Sequence, residues 1–184
     1  MNQLLQAIDA LLEIKPAIIA IDGPCAGGKS TLAEKLKAHY EDAAIYHMDD
    51  FFLLPEQRTA ERLTIPGNNA DHERFLREVL LPLKVGRPFA YRAYSCKSKS
   101  FEERAALPAR LSIIEGSYCL HPSLQAYYDL KIFLDIDADE QASRIVRRNT
   151  AAGTSRFFEE WIPLENNYFE ALAIRDICDI HLAP

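Results

Sequence analysis

Positive charge is scarce in this sequence relative to negative charge. Its 184 residues include 21 Lys and Arg against 27 Asp and Glu, which gives a formal net charge of −6 at pH 7. A surface with this balance repels the phosphate backbone of DNA and RNA unless a local basic patch overrides it. We therefore expect no nucleic-acid partner.

Long hydrophobic runs and closely spaced cysteines are also missing. No window reaches the roughly 18 apolar residues that suggest a membrane helix, and the N-terminal segment lacks the basic start and apolar core of a signal peptide. The four cysteines, Cys25, Cys96, Cys119 and Cys178, form no C-x-x-C pair. These absences predict a protein of the reducing cytoplasm, without membrane contact and without a zinc site.

Short apolar runs alternate with helical patterns along the chain. A helix is predicted over residues 2 to 14, and strands over 17 to 21, 43 to 48, 111 to 116, 130 to 136 and 176 to 182. Helical spacing of apolar residues follows the first strand, precedes Pro82 and recurs near Ile145. This order predicts one domain over residues 1 to 184 with an α/β fold, in which helices cover a mostly parallel sheet.

Two segments break this alternation. Residues 50 to 70 contain Pro55, Pro66 and Gly67 and resemble a loop, whereas residues 84 to 100 combine aromatic and basic side chains and suggest a short hairpin. Long irregular insertions in a compact α/β domain often carry the substrate loops. We therefore assign substrate binding to these two insertions.

A glycine-rich turn follows the first predicted strand and opens a helix. It comprises Gly23, Pro24, Cys25, Ala26, Gly27, Gly28, Lys29, Ser30 and Thr31, and it satisfies G-x-x-x-x-G-K-[ST]. The glycines let main-chain N–H groups face an anion, and the helix N-terminus adds its positive dipole end. We predict that the turn binds the phosphates of ATP or GTP, with Lys29 on the β- and γ-phosphates and Ser30 on Mg²⁺. The alternative is an ordinary strand-to-helix turn with a surface lysine.

Carboxylates follow the second and third predicted strands. Asp49 comes directly after Met48, at the edge where open parallel sheets place ligand-binding residues. There it can accept the proton of a substrate hydroxyl that attacks the γ-phosphate, and Asp50 is a less favoured candidate. Glu115 ends the next strand and can hold Mg²⁺ or its waters. The alternatives are a capping role for the Asp pair and a turn residue at Glu115.

Basic residues cluster before a Gly-containing segment near the C-terminus. Arg144 and Arg148 are four residues apart and share one helix face, and Arg156 follows after Gly153. Arginines beside such a segment suit a lid, here residues 149 to 157, that closes on the transferring phosphoryl group. Solvated surface charge is the alternative, and we prefer it for Arg147.

Three other nucleotide-binding functions compete with a kinase. A switch GTPase needs an N-K-x-D segment to read guanine, and the sequence contains none. A motor or nucleic-acid ATPase more often carries a basic groove and extra domains, which the length and charge oppose. A regulatory module that binds nucleotide without turnover stays open.

The motifs together resemble the uridine kinase and phosphoribulokinase branch of the P-loop kinases. The resemblance is carried by IAIDGPCAGGKSTLA, YHMDDFF, IIEGSYCLHPSLQAYYDLKIFLDIDADEQASRIVRRN and WIPLENNYF, from about residue 17 to the C-terminus. It implies a three-layer P-loop sandwich with a five-stranded parallel sheet and a lid. It also implies phosphorylation of a small-molecule hydroxyl, such as that of uridine or cytidine, by ATP or GTP with Mg²⁺. A homo-oligomer is left open.

The resemblance also assigns residues to the acceptor. Asp49 matches the family's base, Phe52 an aromatic near the nucleoside, Asp71 an acidic residue that grips the ribose, and Tyr91 a tyrosine beside the base. Arg144 and Arg148 match arginines on the lid side.

The acceptor region departs from the family's pattern at Glu73, which replaces the Pro after the family's Asp-His pair, and at two further positions. Arg92 stands where uridine kinases have Asp, and Cys96 where they have a base-contacting His. With Lys97 and Lys99, Arg92 suggests an anionic acceptor such as pantothenate or a sugar phosphate as the alternative to a nucleoside. An ordinary solvated hairpin is the other explanation for these three basic residues.

Overall fold

A computed structural model describes residues 1–148 and 150–183 of the chain. The strands in this part are β1 Ala17–Asp22, β2 Ala43–His47, β3 Phe89–Ser95, β4 Ser100–Ala106, β5 Leu111–Glu115, β6 Leu130–Leu134 and β7 Ile180–Leu182. The α-helices are α1 Asn2–Ile14, α2 Lys29–His39, α3 Ala60–Thr64, α4 His72–Phe75, α5 Leu81–Val85, α6 Ala138–Arg148, α7 Ala151–Arg156 and α8 Ile162–Ala171. None of these helices is both long and apolar enough for a membrane span.

The central sheet has five strands in the order β2-β5-β1-β6-β7, and every neighbouring pair is parallel. Strand β1 lies in the middle, where Ile19 pairs with Ile113 on one side and Leu130 on the other. The predicted α/β fold with a five-stranded parallel sheet is therefore confirmed. Because all strands run the same way, β1, β2 and β5 bring their carboxyl ends to one edge, and the P-loop and Asp49 follow there.

Alternating residues of β1 face two separate cores. Ile19 and Ile21 pack with Leu4 and Ile8 of α1 and with α2. Ile18 and Ala20 face the opposite core, which contains the large buried side chains Phe51, Phe75, Tyr91 and Tyr168. Burial of apolar side chains on both faces explains the continuous apolar run of this strand. The sheet thus lies between two layers.

The helix predicted before Pro82 continues beyond that residue. A π-helical turn, Leu76–Leu80, joins α4 to α5, and Pro82 lies in the first turn of α5. The π-helical turn closes with the Leu81 N–H on Leu76 O, so Pro82 opens a new α-helical turn, where a missing N–H is tolerated. A second π-helical turn, Phe157–Trp161, joins α7 to α8.

Two strand predictions differ from the structure. The last strand is only Ile180–Leu182, because residues 176 and 177 are still in a turn. The hairpin of β3 and β4 extends to residue 106 rather than ending at 100, and its strands pair antiparallel. The Tyr91 ring packs on the Phe51 ring at 6.0 Å between centroids, and this contact fixes the hairpin near the end of β2.

Candidate active site

The P-loop turns sharply where β1 ends. Gly23 has a φ of 139°, and a Cβ there would lie 2.3 Å from the main-chain oxygen of Leu134 in the neighbouring strand. Only glycine fits such a backbone conformation and approach. Gly28 is left-handed, with a φ of 98°, and it caps the N-terminus of α2. In α2 the first N–H with a main-chain acceptor among the described residues is that of Leu32, to Gly28 O, so the earlier N–H groups of the helix are open to an anion.

The Lys29 ammonium lies inside the P-loop. Its Nζ donates to Gly23 O at 2.6 Å, to Pro24 O at 2.9 Å and to Ser117 Oγ at 3.1 Å. The side chain is buried. A surface lysine would not be held this way, so the alternative of an ordinary turn does not describe this residue.

The two predicted metal ligands lie side by side. Ser30 Oγ is 3.2 Å from each carboxylate oxygen of Glu115, and His47 Nδ1 is 2.5 Å from Glu115 Oε1. The hydrogen bond to Glu115 raises the pKa of His47. Among the described residues no group of three His, Cys, Asp or Glu side chains is placed to hold a metal ion by itself. One hydroxyl and one carboxylate nevertheless fit Mg²⁺, which usually takes few protein ligands together with waters and phosphate oxygens.

A cavity of about 430 Å³ connects these groups to the residues after β2. Its predicted members are Cys25, Ala26, Gly28, Lys29, Ser30, Thr31, Asp49, Phe52, Glu115 and Arg148. The volume is within the usual range for small-molecule sites. The structure therefore brings predicted phosphate and metal residues into one space with Asp49 and Phe52.

Asp49 faces this cavity from the turn after β2. Its carboxylate accepts no hydrogen bond from any residue that the structure describes. Desolvation by the surrounding protein raises its pKa, and the nearby Lys29 ammonium opposes that rise. Asp50 differs, because its carboxylate is 2.6 Å from Arg104 Nη1 in an ion pair with the hairpin. Of the two aspartates, Asp49 is thus the one whose carboxylate has no hydrogen-bond partner among the described residues.

The predicted acceptor residues are not all at the cavity. Phe52 lines it, whereas Asp71 is buried beside it and accepts hydrogen bonds from the Arg74 N–H at 3.1 Å and from Gln57 Nε2 at 3.1 Å. Asp71 also forms an ion pair with the Arg74 guanidinium at 3.2 Å. These bonds give Asp71 a role in capping α4, and its contact with an acceptor stays a prediction.

The hairpin residues lie at differing depths. Tyr91 is buried in the aromatic core, and Arg92 pairs with Glu78 through both its side chain and its N–H, the latter at 2.9 Å. Cys96 is exposed in the hairpin turn. Burial of part of this side chain raises the pKa of its thiol, and Arg58 and Arg156 are near enough to oppose that rise.

The lid arginines occupy three different positions. Arg144 donates to Ala26 O of the P-loop at 3.2 Å and pairs with Glu140 at 2.7 Å. Arg148 lines the cavity, and Arg156 pairs with Glu160 at 2.8 Å. Residue 149, where the predicted lid begins, lies outside the described residues.

Comparison with known protein families identifies a family model that matches most of the chain. The profile described as "PRK: Phosphoribulokinase / Uridine kinase family" matches residues 18–157, more than half of the chain. The chain belongs to the phosphoribulokinase / uridine kinase family. This membership confirms the resemblance that the sequence motifs indicated.

Two relatives show how far the similarity to this family extends. "Uridine kinase-like protein 5" of Arabidopsis thaliana is 31% identical over 147 residues, which cover 74% of this chain and 31% of the relative. "Uridine-cytidine kinase B" of Dictyostelium discoideum is 31% identical over 146 residues, covering 74% of this chain and 59% of that protein. The matched region thus spans only about a third of the plant relative and less than two thirds of the second.

A solved structure shares the whole fold. "Structure of a Possible Uridine Kinase from Bacillus stearothermophilus" has a TM-score of 0.72 at 19% identity and covers 98% of this chain and 99% of that one. At this identity the likeness concerns the fold alone. The five-stranded P-loop architecture of the family is therefore present here.

The cavity residues that sequence reasoning missed include Arg58, Ser117 and Glu165. Arg58 lies in the irregular segment assigned to substrate binding, and its guanidinium pairs with Glu160 at 2.7 Å. Ser117 follows Glu115 by two residues, and this proximity was the signal in the sequence that could have identified it. Glu165 lies within α8, where a single carboxylate has no local pattern that distinguishes it from surface charge.

The buried Asp22 was also missed. It accepts hydrogen bonds from the N–H of Gly23 at 2.7 Å, the N–H of Leu120 at 2.9 Å and the Tyr168 hydroxyl at 2.9 Å. Desolvation raises its pKa to about 6, although Lys29 and these bonds oppose the rise. An Asp that ends an otherwise apolar strand was the signal in the sequence.

Proposed function

We propose that this chain transfers the γ-phosphate of ATP or GTP to a hydroxyl group of a small molecule, with a nucleoside such as uridine or cytidine as the first acceptor to test. One observation carries the proposal. The Asp49 carboxylate faces the same cavity as Lys29, Ser30 and Glu115. A phosphate donor and a hydroxyl acceptor can therefore meet between a cation and a free carboxylate.

The P-loop side of the cavity suits the phosphate donor. The open N–H groups at the start of α2 and the Lys29 ammonium would hold the outer phosphates, and Arg144, Arg148 and Arg156 would add positive charge as the lid closes. Ser30 and Glu115 would hold Mg²⁺, which supplies charge neutralisation on the phosphate oxygens. In this proposal each of these groups binds or orients the donor.

Asp49 would accept the proton of the attacking hydroxyl. Its carboxylate has no competing hydrogen bond from the described residues, and its raised pKa brings its basicity closer to that of a base working near neutral pH. An Asp already paired with a cation, as Asp50 is with Arg104, would be a weaker base.

The acceptor class has two candidates. The names of the relatives favour uridine or cytidine, with Phe52, Asp71, Tyr91, Arg92 and Cys96 as the proposed acceptor residues. A specific observation supports the second candidate, an anionic acceptor such as pantothenate or a sugar phosphate. Arg58 and Arg92 each pair with a glutamate, but Arg58 and Arg148 line the cavity, whereas Arg92 is not among its lining residues. The cation that would meet an anionic acceptor is then Arg58 rather than the hairpin arginine.

The test is an acceptor panel. The protein is incubated with Mg-ATP or Mg-GTP and separately with uridine, cytidine, pantothenate and sugar phosphates, and the release of ADP or GDP is followed. We expect nucleotide turnover that depends on one acceptor. Turnover with an anionic acceptor alone would replace the nucleoside assignment and keep the reaction class. Nucleotide binding without turnover on any acceptor would instead favour a regulatory module.

Asp49→Asn separates a kinase from a nucleotide-binding module. We expect the variant to lose turnover by about 100-fold or more, while it binds ATP as the unmodified chain does. Asp42→Asn, at an exposed position after α2, is the matched control and should leave turnover unchanged. An Asp49→Asn variant with full turnover would remove Asp49 from the mechanism.

Two further properties belong to this proposal. All four cysteines are free, which is compatible with a reducing cytoplasmic location. Light scattering coupled to size-exclusion chromatography measures whether the chain is a monomer or a homo-oligomer.

A further inference from the structure

A buried carboxylate of α8 contacts the P-loop from outside the nucleotide motif. Glu165 is 5% exposed. Its Oε2 accepts a hydrogen bond from the N–H of Cys25 at 2.8 Å, and its Oε1 accepts one from the Ser117 hydroxyl at 2.6 Å. Glu165 belongs neither to the glycine-rich motif nor to the predicted lid.

Ser117 connects Glu165 to the catalytic lysine. The Ser117 oxygen accepts a hydrogen bond from Lys29 Nζ at 3.1 Å while its proton points to Glu165, and the hydroxyl is also 3.2 Å from Gly23 O. A hydroxyl that donates to a carboxylate becomes a better acceptor, because bonds in such a chain polarise one another. The negative charge of Glu165 therefore strengthens the bond that holds the ammonium.

All three protons of Lys29 are already used. They go to Gly23 O, Pro24 O and Ser117 Oγ, and an ammonium has no fourth donor. A phosphate oxygen can bind Lys29 only by replacing or sharing one of these acceptors. The Ser117 bond is the longest of the three and the only one to a side chain, so its proton is the one that a phosphate oxygen can most readily share.

We propose that Glu165 is a positioning residue for the nucleotide site and acts through two contacts. The contact with the Cys25 N–H fixes the P-loop main chain in the shape that receives phosphate. The contact with Ser117 holds the Lys29 ammonium in place beside the loop while a phosphate oxygen shares one of its protons. This inference rests on the proposed kinase function and adds a residue from α8 to it.

The two contacts predict separable effects. Loss of the Cys25 contact changes the loop that binds nucleotide in the ground state, so it should weaken nucleotide affinity. Loss of the Ser117 contact changes the placement of Lys29, whose charge matters most as negative charge develops on the transferring group, so it should lower kcat. Replacement of a residue that only stabilised the fold would change neither the nucleotide affinity nor the kcat of the folded protein.

The first test uses Glu165→Ala with two readouts. One is the Kd of a non-hydrolysable ATP analogue in the presence of Mg²⁺, and the other is kcat with the acceptor found in the panel. We expect the Kd to rise about tenfold and kcat to fall about tenfold, the effect of one lost hydrogen bond to a charged group. Circular dichroism establishes that the variant is folded. A folded Glu165→Ala variant with unchanged Kd and kcat would overturn the proposal.

Two more variants test each contact by itself, including the case in which Glu165→Ala does not fold. Ser117→Ala keeps the Glu165 contact with Cys25, so we expect kcat to fall about tenfold with Kd within about twofold. Glu165→Gln retains an oxygen for the Cys25 N–H, so its Kd should stay within about threefold. An unchanged kcat in Ser117→Ala would exclude a role for the Ser117–Lys29 contact in turnover. If the Kd of Glu165→Gln is about tenfold or more above that of the unmodified chain, the Cys25 contact does not explain the nucleotide affinity.

Glu170→Ala is the matched control, because it removes one exposed carboxylate from the same helix. Its Kd and kcat should equal those of the unmodified chain. If the unmodified chain phosphorylates no acceptor, the proposed function fails. The analogue Kd then still decides whether Glu165 shapes the nucleotide site.

Discussion

Ser30 Oγ lies 3.2 Å from both carboxylate oxygens of Glu115, across the gap between the start of α2 and the end of β5. The two residues are far apart in the sequence, and the pairing of β1 with β5 brings them together. A hydroxyl and a carboxylate are the kind of protein ligands that Mg²⁺ takes together with phosphate oxygens and waters.

Glu115→Gln should raise the Mg²⁺ concentration needed for half-maximal turnover by about tenfold. The amide keeps the size of the side chain but loses the negative charge that attracts the cation. The measurement is a Mg²⁺ titration of turnover at fixed nucleotide, with Glu41→Gln, at an exposed position after α2, as the control. An unchanged Mg²⁺ requirement would show that Glu115 does not hold the metal.

Lys29→Ala should reduce turnover by roughly 100-fold or more, because the cation that neutralises the outer phosphates is removed. The fold should survive, since two of the three Lys29 bonds go to main-chain oxygens of its own loop. Turnover and circular dichroism are measured together, and Lys35→Ala on the exposed face of α2 serves as the control. Unchanged turnover in a folded Lys29→Ala protein would be incompatible with the nucleotide site described above.

His121 should make the fold less stable in mild acid. Its ring stacks on His72 with centroids 3.7 Å apart, and desolvation, together with the charge of His72, lowers its pKa to about 4. The unfolded chain binds a proton at this residue below about pH 6.5, whereas the folded chain binds it only near pH 4. Between these values the unfolded state holds more protons, so the free energy of unfolding falls as the pH falls.

Denaturant titrations at pH 7.5 and pH 5 measure this effect. The His121 contribution should be fully present at pH 7.5 and reduced by on the order of 1 kcal/mol at pH 5, after allowance for the partial exposure of the ring. Asp22, whose pKa is raised to about 6, acts in the opposite direction over much of this range. The comparison is therefore between variants. His121→Gln should remove this residue's share of the pH dependence of the unfolding free energy, whereas His39→Gln, at an exposed position, should not. If both variants show the same change in unfolding free energy between pH 7.5 and pH 5, the assignment to His121 is wrong.

Gly116→Ala should destabilise the fold by about 2 kcal/mol or more. The residue has a φ of 133°, and a Cβ there would lie 2.7 Å from the Cβ of Met48. Gly86→Ala is the matched control, because Gly86 has a φ of 71° with no atom within 4 Å of the added Cβ. Its cost should be about 1 kcal/mol. Chemical denaturation measures both values, and equal losses would mean that the contact with Met48 contributes nothing.

Local patterns were sufficient for the fold class and for the phosphate-binding loop. The apolar runs of β1, β5 and β6 reflect burial on both faces, and the P-loop combines its residue pattern with a strand before it and a helix after it. Local patterns were weaker where tertiary contacts decide the structure. The hairpin extends to Ala106, and Pro82 lies inside a continuing helix, because packing and a π-helical turn outweigh local signals there.

The same distinction between local patterns and tertiary contacts applies to the candidate site. The sequence by itself determined the P-loop, Asp49 and Glu115, because each follows a buried strand and parallel strands end at one edge of a sheet. Only the tertiary structure decided that Ser117 contacts Lys29, that Glu165 contacts Ser117, and that Arg58, rather than Arg92, lines the cavity. Those contacts join segments far apart in the chain, and no local spacing of residues encodes which distant carboxylate or cation will be packed against the loop.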